Sequence, residues 1–215
     1  MQKLILLSLI ILFSSSCQKS QVEKSPSLDH IDQSVTDGTV LDPATGLPVG
    51  ALTFDAQLQL YNFNSEQQDK MERAVAIIKL VVATVEFREK VLNHSYNGQK
   101  TFVDNAGYTN AQVYQKILEG AESLQPTRDN TLNAEIELYY AATNIVGYTY
   151  PSSKRIWINT KYFTNYTDAG VAHNLFHEWM HKLGFNHETS WSESRDYSVP
   201  YAVGNIIGLI GKDFL

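Results

Sequence analysis

Thr167–Glu188 reads TDAGVAHNLFHEWMHKLGFNHE, and its periodicity sets the expectation for the whole chain. Thr167 or Asp168 is placed to cap a helix on which Val171, Ala172, Leu175, Phe176, Trp179, Met180 and Leu183 form a broad apolar face. Gly184 is the residue type that ends a helix in the left-handed conformation. Histidines interrupt this core-forming pattern. His177 and His181 are four residues apart, so they share one helix face with β-carbons about 6 Å apart. A turn at Gly184 lets His187 return toward them from a loop. Three neutral imidazole nitrogens can hold a zinc ion and leave a fourth position open for water, as a catalytic rather than a structural site requires.

Glu178 follows the first of these histidines by about 100° of helix rotation and flanks the metal instead of joining the line of ligands. A carboxylate there can take a proton from water whose pKa zinc lowers to about 7. The expected reaction is attack of that water on a polarised peptide carbonyl, Glu178 passing the proton to the leaving amine without a covalent intermediate. At this chain's residue frequencies, three His, one Glu and one Gly fall at these spacings by chance with a probability on the order of 10⁻⁵. Two other readings stay open: a zinc-binding surface lipoprotein with a binding or scaffolding role, and histidines that pack without metal.

The residues from His177 to His187 resemble the extended zinc signature of the metzincin metalloendopeptidases, and the continuation through Glu188 is most similar to the astacin branch. The resemblance implies an α+β, zincin-like domain: a mixed twisted sheet, a long N-terminal helix, an active-site helix and a small C-terminal subdomain. It implies one catalytic zinc ion (Zn2+) on His177, His181 and His187, Glu178 as general base, and protein or peptide substrates. Metzincins follow the signature with a Met-containing turn beneath the metal, and in astacins a Tyr two residues after that Met approaches the zinc. Ser198-Val199-Pro200-Tyr201 fits this place, with Val199 where the family has Met. Tyr201 is thereby a candidate stabiliser of the oxyanion, a role worth roughly 10²- to 10³-fold in rate; packing of the turn is the other reading. By the same resemblance, the strand before the metal helix is an edge that pairs with extended substrate through Trp157 to Asn159.

Outward from this segment, Leu52, Phe54, Ala56, Leu58 and Leu60 alternate as in a half-buried strand. Ser65 and Gln68 form a capping-box pattern, and apolar residues at helical spacing predict one long helix up to Asn97-Gly98. A shorter helix is expected over Asn110 to Glu119, ended by Gly120, and strands over Ala134 to Ala142 and Lys154 to Asn159. After a polar loop, Ala202 to Ile210 reads as a C-terminal helix weakened by Gly204 and Gly208. His173 stands about 12 Å along the helix axis from His181, too far to share an ion, and is expected to pack or to support a ligand. His94 is expected at the end of the long helix, where the dipole favours an imidazolium.

The 215 residues suffice for one domain with a tail, and a net charge of −6 gives no basic footprint for nucleic acid. Residues 1–16 read as a signal peptide: Lys3, the apolar run Leu4 to Phe13, then Ser14-Ser15-Ser16 before Cys17. This resembles the lipobox of bacterial lipoproteins, with Ser14 where Leu is usual; an ordinary signal peptide is the alternative. Cys17 is the only cysteine, so lipidation accounts for it better than a disulfide. Residues 17–50 read as a polar tether, with a prosegment or an ordered arm as alternatives, and 51–215 as the metallopeptidase domain. The expected placement is the cell envelope, anchored to the membrane through lipid on Cys17. Gln18 after the cysteine resembles outer-membrane sorting, and the chain is expected to act as a monomer.

Overall fold

The computed structural model describes residues 54–214. The signal peptide, Cys17, the tether and the first residues of the expected opening strand lie outside the described residues. From Phe54 the chain enters β1 (Asp55–Tyr61) and then a helical stretch that differs from expectation in two ways. The capping box of α1 (Ser65–Val82) is shifted by one residue: Asn64 accepts from the Gln67 N–H at 2.9 Å, and the Gln67 side chain accepts from the Asn64 N–H at 3.0 Å. Asn caps a helix as well as Ser does, and here it stands one residue earlier. The single long helix is also divided. Thr84 takes an extended backbone, accepts from the Phe87 N–H at 3.0 Å and donates its hydroxyl to the Val81 carbonyl at 2.7 Å. That local bonding ends α1 and starts α2 (Val85–Leu92), although the apolar periodicity runs across the break.

Next, α3 (Asn110–Glu119) is capped by Thr109 and terminated by Gly120 at φ +67°. The remaining elements are β2 (Thr131–Tyr139), β3 (Gly147–Thr149), β4 (Arg155–Asn159), the short α4 (Thr160–Phe163), α5 (Asp168–Lys182), a 3₁₀ turn over Glu193–Tyr197, and α6 (Val199–Gly211). One four-stranded mixed sheet runs β1-β2-β4-β3, with β1, β2 and β4 parallel and β3 antiparallel to β4. This mixed α/β architecture is compatible with the expected α+β class.

β4 is not the edge strand that the metzincin resemblance implies. Its outer side is taken by β3, with Gly147, Tyr148 and Thr149 paired to Ile158, Trp157 and Ile156, and the Tyr148 ring stacks on Trp157 at 5.1 Å between centroids. β3 is therefore the edge. At three residues inside a turn-rich stretch it is too short to show a period.

α5 packs against α1, α6, β3 and β4. Trp179 is fully buried in edge contact with Phe54 at 5.6 Å and near Phe176 at 5.1 Å, and Phe87 meets Phe176 from α2. Each such side chain contributes roughly 1.5–3 kcal/mol on burial. The glycines of α6, expected to weaken it, are where it touches α5. A β-carbon on Gly204 would come within 3.2 Å of the His177 β-carbon and the His173 carbonyl, and one on Gly208 within 3.1 Å of the His173 β-carbon. Their propensity cost is offset by a close helix crossing.

Among the described glycines Gly120 leaves the least room for a side chain, since an added β-carbon would meet the Thr131 carbonyl oxygen at 2.4 Å on a left-handed residue. Gly120→Ala is expected to lower stability by about 2 kcal/mol or more in urea unfolding. An unchanged midpoint would contradict this account of the α3–β2 connection.

Candidate metal centre

α5 is an apolar helix carrying a polar insert that its two ends hold in place. Thr167 caps the N-terminus, accepting from the Gly170 N–H at 3.1 Å. At the other end Gly184 takes φ +91° and the Phe185 N–H returns to the Met180 carbonyl at 3.1 Å. The same turn sets the Phe185 carbonyl 2.8 Å from His181 Nδ1. A carbonyl only accepts, so Nδ1 carries the proton and Nε2 keeps its lone pair. His187 is fixed the same way, its Nδ1 lying 2.8 Å from the Glu188 carbonyl.

His177, His181 and His187 come together as the sequence anticipates. One ring nitrogen from each lies within 4.8 Å of the other two, and Nε2 of His177 and of His187 are 3.3 Å apart. Among the described residues no other group of His, Cys, Asp and Glu has this spacing, and these three are able to hold a metal ion. Burial pushes the His177 imidazole well below its ordinary range, that of His181 down to about 4, and that of His187 down as well. Neutral rings offer lone pairs to a cation without competition from protons. His173 lines the same cavity but stands outside the cluster, against Gly204 and Gly208.

Glu178 is 4 % exposed and shares with the three histidines a cavity of about 950 Å³. Burial pushes its carboxyl up to about 8, opposed by the charge of Lys182 one turn away. Above it runs the edge strand. A β-carbon on Gly147 would lie 3.1 Å from both Glu178 Oε1 and Asn174 Oδ1, so glycine lets β3 approach these two groups. Asn174 Oδ1 is buried without a partner. Lys182 secures the β3–β4 hairpin to α5: its ammonium donates to the Arg155 carbonyl at 2.9 Å, to Tyr150 at 3.3 Å, and to Ser153. Burial lowers its pKa to about 8 even so.

Tyr201, in the first turn of α6, has its ring 4.5 Å from His177 and 4.7 Å from His187 between centroids. Its hydroxyl accepts from Arg195 Nη2, and the Arg195 guanidinium carbon lies 4.5 Å from the Tyr201 ring centroid. Val199 is fully buried at the start of the same helix. Cys17 lies outside the described residues. His94 departs from the dipole expectation: it stacks on Phe102 at 4.1 Å with Nε2 buried and unpaired, and burial pushes its pKa down.

Sequence reasoning did not find Gly147, Asn174, Lys182 or Arg195. Lys182 stands four residues after Glu178, a helical pair spacing that could have drawn attention to it. The other three owe their place to tertiary contacts. No family model matches the chain, and no match is found among curated proteins.

The depressed histidines make a pH prediction for the metal-free protein. A histidine whose folded pKa lies below the unfolded value of 6.5 binds fewer protons when folded. Its contribution to stability is therefore complete above about pH 6.5 and is lost as pH falls through the folded value, about 4 for His181. Urea unfolding of the metal-free wild type should weaken from pH 6.5 toward 4, and a variant with His177, His181 and His187 all changed to Gln should show a flatter profile. Parallel profiles would contradict the assigned burial.

Proposed function

We propose that this chain is a zinc-dependent endopeptidase of metzincin type. The observation that carries the reading is the convergence of three imidazole nitrogens within 4.8 Å beside a buried Glu178 carboxyl in one cavity. The donor set fits zinc: nitrogen ligands only, neutral, with two of the three tautomers fixed by backbone carbonyls. Bound there, zinc supplies Lewis-acid polarisation of a carbonyl and acidification of water to near pH 7.

The chain's own residues account for the remaining work. Glu178 receives the proton of the attacking water and delivers it to the leaving amine. Glu178 is pressed against the backbone of β3 at Gly147, so a peptide lying along this edge passes close to the base. Among the described residues nothing pairs with the outer side of β3 in the sheet, which suits an extended peptide added as a further strand. Trp157 and Ile158 are already paired to both β3 and β2, and Asn159 to β2, so they do not offer this edge. Tyr201 stands beside two of the ligands, where a hydroxyl can meet a developing negative charge on a substrate oxygen. Val199, at the place of the Met of the family turn, is a smaller side chain, and its complete burial suits an apolar floor there.

The signal peptide and Cys17 support a second element of the proposal: a lipid-anchored monomer of the cell envelope, held at the outer membrane, acting on protein or peptide substrates. Metabolic labelling with a tagged fatty acid, comparing wild type with Cys17→Ser, tests the anchor.

Glu178→Gln is expected to reduce peptide cleavage by roughly 10²-fold or more while leaving zinc stoichiometry at one, and His187→Ala to lower zinc content itself. Proteome-scale cleavage profiling beside elemental analysis reads both. Stoichiometric zinc with no cleavage by wild type would favour a catalytically silent zinc-binding lipoprotein.

A further inference from the structure

Arg195 has no part in the reaction as proposed, yet it lines the same cavity as the histidines. Its backbone is fixed at both ends of the 3₁₀ turn. Its N–H donates to Ser192 Oγ at 3.3 Å, and its carbonyl accepts from the N–H and the hydroxyl of the buried Ser198, at 3.0 and 2.7 Å. Ser198 immediately precedes α6, so Arg195 and Tyr201 are rooted on one piece of backbone. No carboxylate among the described residues pairs with this guanidinium, and its Nε is buried without a partner. Among the described residues its one side-chain hydrogen bond is to the Tyr201 hydroxyl. A partly buried cation with so few partners is costly, which marks it as held for something other than stability.

We infer that Arg195 is a positioning residue that holds Tyr201 as a hydrogen-bond donor to a substrate oxygen seated at the histidine cluster, an assignment that rests on the reading of the site given above. A guanidinium has five N–H groups and no acceptor, so the Tyr201 oxygen must be the acceptor in their contact. The phenolic proton is then left to be donated elsewhere, and among the described residues nothing receives it. Accepting from a cation also polarises the O–H bond and makes it a stronger donor. Without Arg195 the hydroxyl is free to rotate and to be satisfied by water.

The test is a double-mutant cycle on the zinc-loaded full chain, read first as affinity for acetohydroxamate and then as peptide kcat and KM. Tyr201→Phe and Arg195→Ala are each expected to weaken the hydroxamate roughly tenfold. The double variant should be no weaker than Tyr201→Phe alone, because Arg195 acts through the phenol. Arg195→Lys should fall between Arg195→Ala and wild type, and it decides the case if Arg195→Ala fails to fold. Added guanidinium ion should restore Arg195→Ala and leave the double variant unchanged. In peptide kinetics the same pattern should appear in kcat with little change in KM. An unchanged affinity in Arg195→Ala, losses that multiply in the double variant, or a zinc-loaded wild type that does not bind the hydroxamate would each overturn the assignment. If the cycle holds in binding while no peptide is cleaved, the peptidase reading falls and the positioning role stands.

Discussion

The removal of α5 from water is the constraint on which the rest depends. This helix carries Phe176, Trp179 and Met180 into the core, and the same burial takes in His177 and Glu178. In a medium of low polarity, charged forms are disfavoured, so the imidazoles stay neutral and the carboxyl holds its proton into mildly basic pH in the metal-free protein. A cation brought among these groups would meet lone pairs already free and would favour ionisation of the neighbouring carboxyl. One physical cause therefore acts on the three imidazoles and on the neighbouring carboxyl alike. It also explains why His177, Glu178 and His181 sit on one helix, since rigid packing on several sides fixes their rotamers, while His187 comes from the loop after Gly184 and is held by the Glu188 carbonyl.

The opposite wall of the cavity is held by different means. β3 has only three residues and little apolar surface of its own. Its position comes from three devices: ladder pairing with β4, stacking of Tyr148 on Trp157, and the Lys182 ammonium anchored on two carbonyls of the adjoining turn and on that of Arg155 in β4. Lys182 follows His181 directly, so the residue that anchors the wall and the residue that offers a ring nitrogen move together. Gly147 completes the arrangement by letting the wall approach Glu178 without a side chain between.

This division explains what could be read from the sequence. α5, its Thr167 cap and the Gly184 stop were legible because capping and periodicity act within a few residues, and the same local geometry decided that His177, His181 and His187 would converge. The α3 boundaries and Gly120 were legible for the same reason. The break at Thr84 was missed because apolar spacing continues across it and only a hydroxyl signals the stop. β3 was missed because three residues carry no period, and with it the identity of the edge strand. Arg195 and Asn174 carry no local signature at all: each matters through a partner, or the lack of one, that the folded chain alone defines.

The glycines of α6 show how a packing rule reaches the chemistry. Gly204 and Gly208 sit one turn apart on the face that crosses α5 over His173 and His177. Their missing side chains allow the two helix backbones to approach more closely than larger residues would permit. Tyr201 precedes Gly204 by three residues, nearly one helical turn, and so faces the same partner. Close crossing at the glycines therefore sets the height at which the Tyr201 ring meets His177 and His187. Alanine at these positions would require α5 to give by a few tenths of an ångström, and a side chain as large as leucine would push α6 away and carry the phenol with it. The local weakness of α6 is thus the condition for placing its first turn at the site.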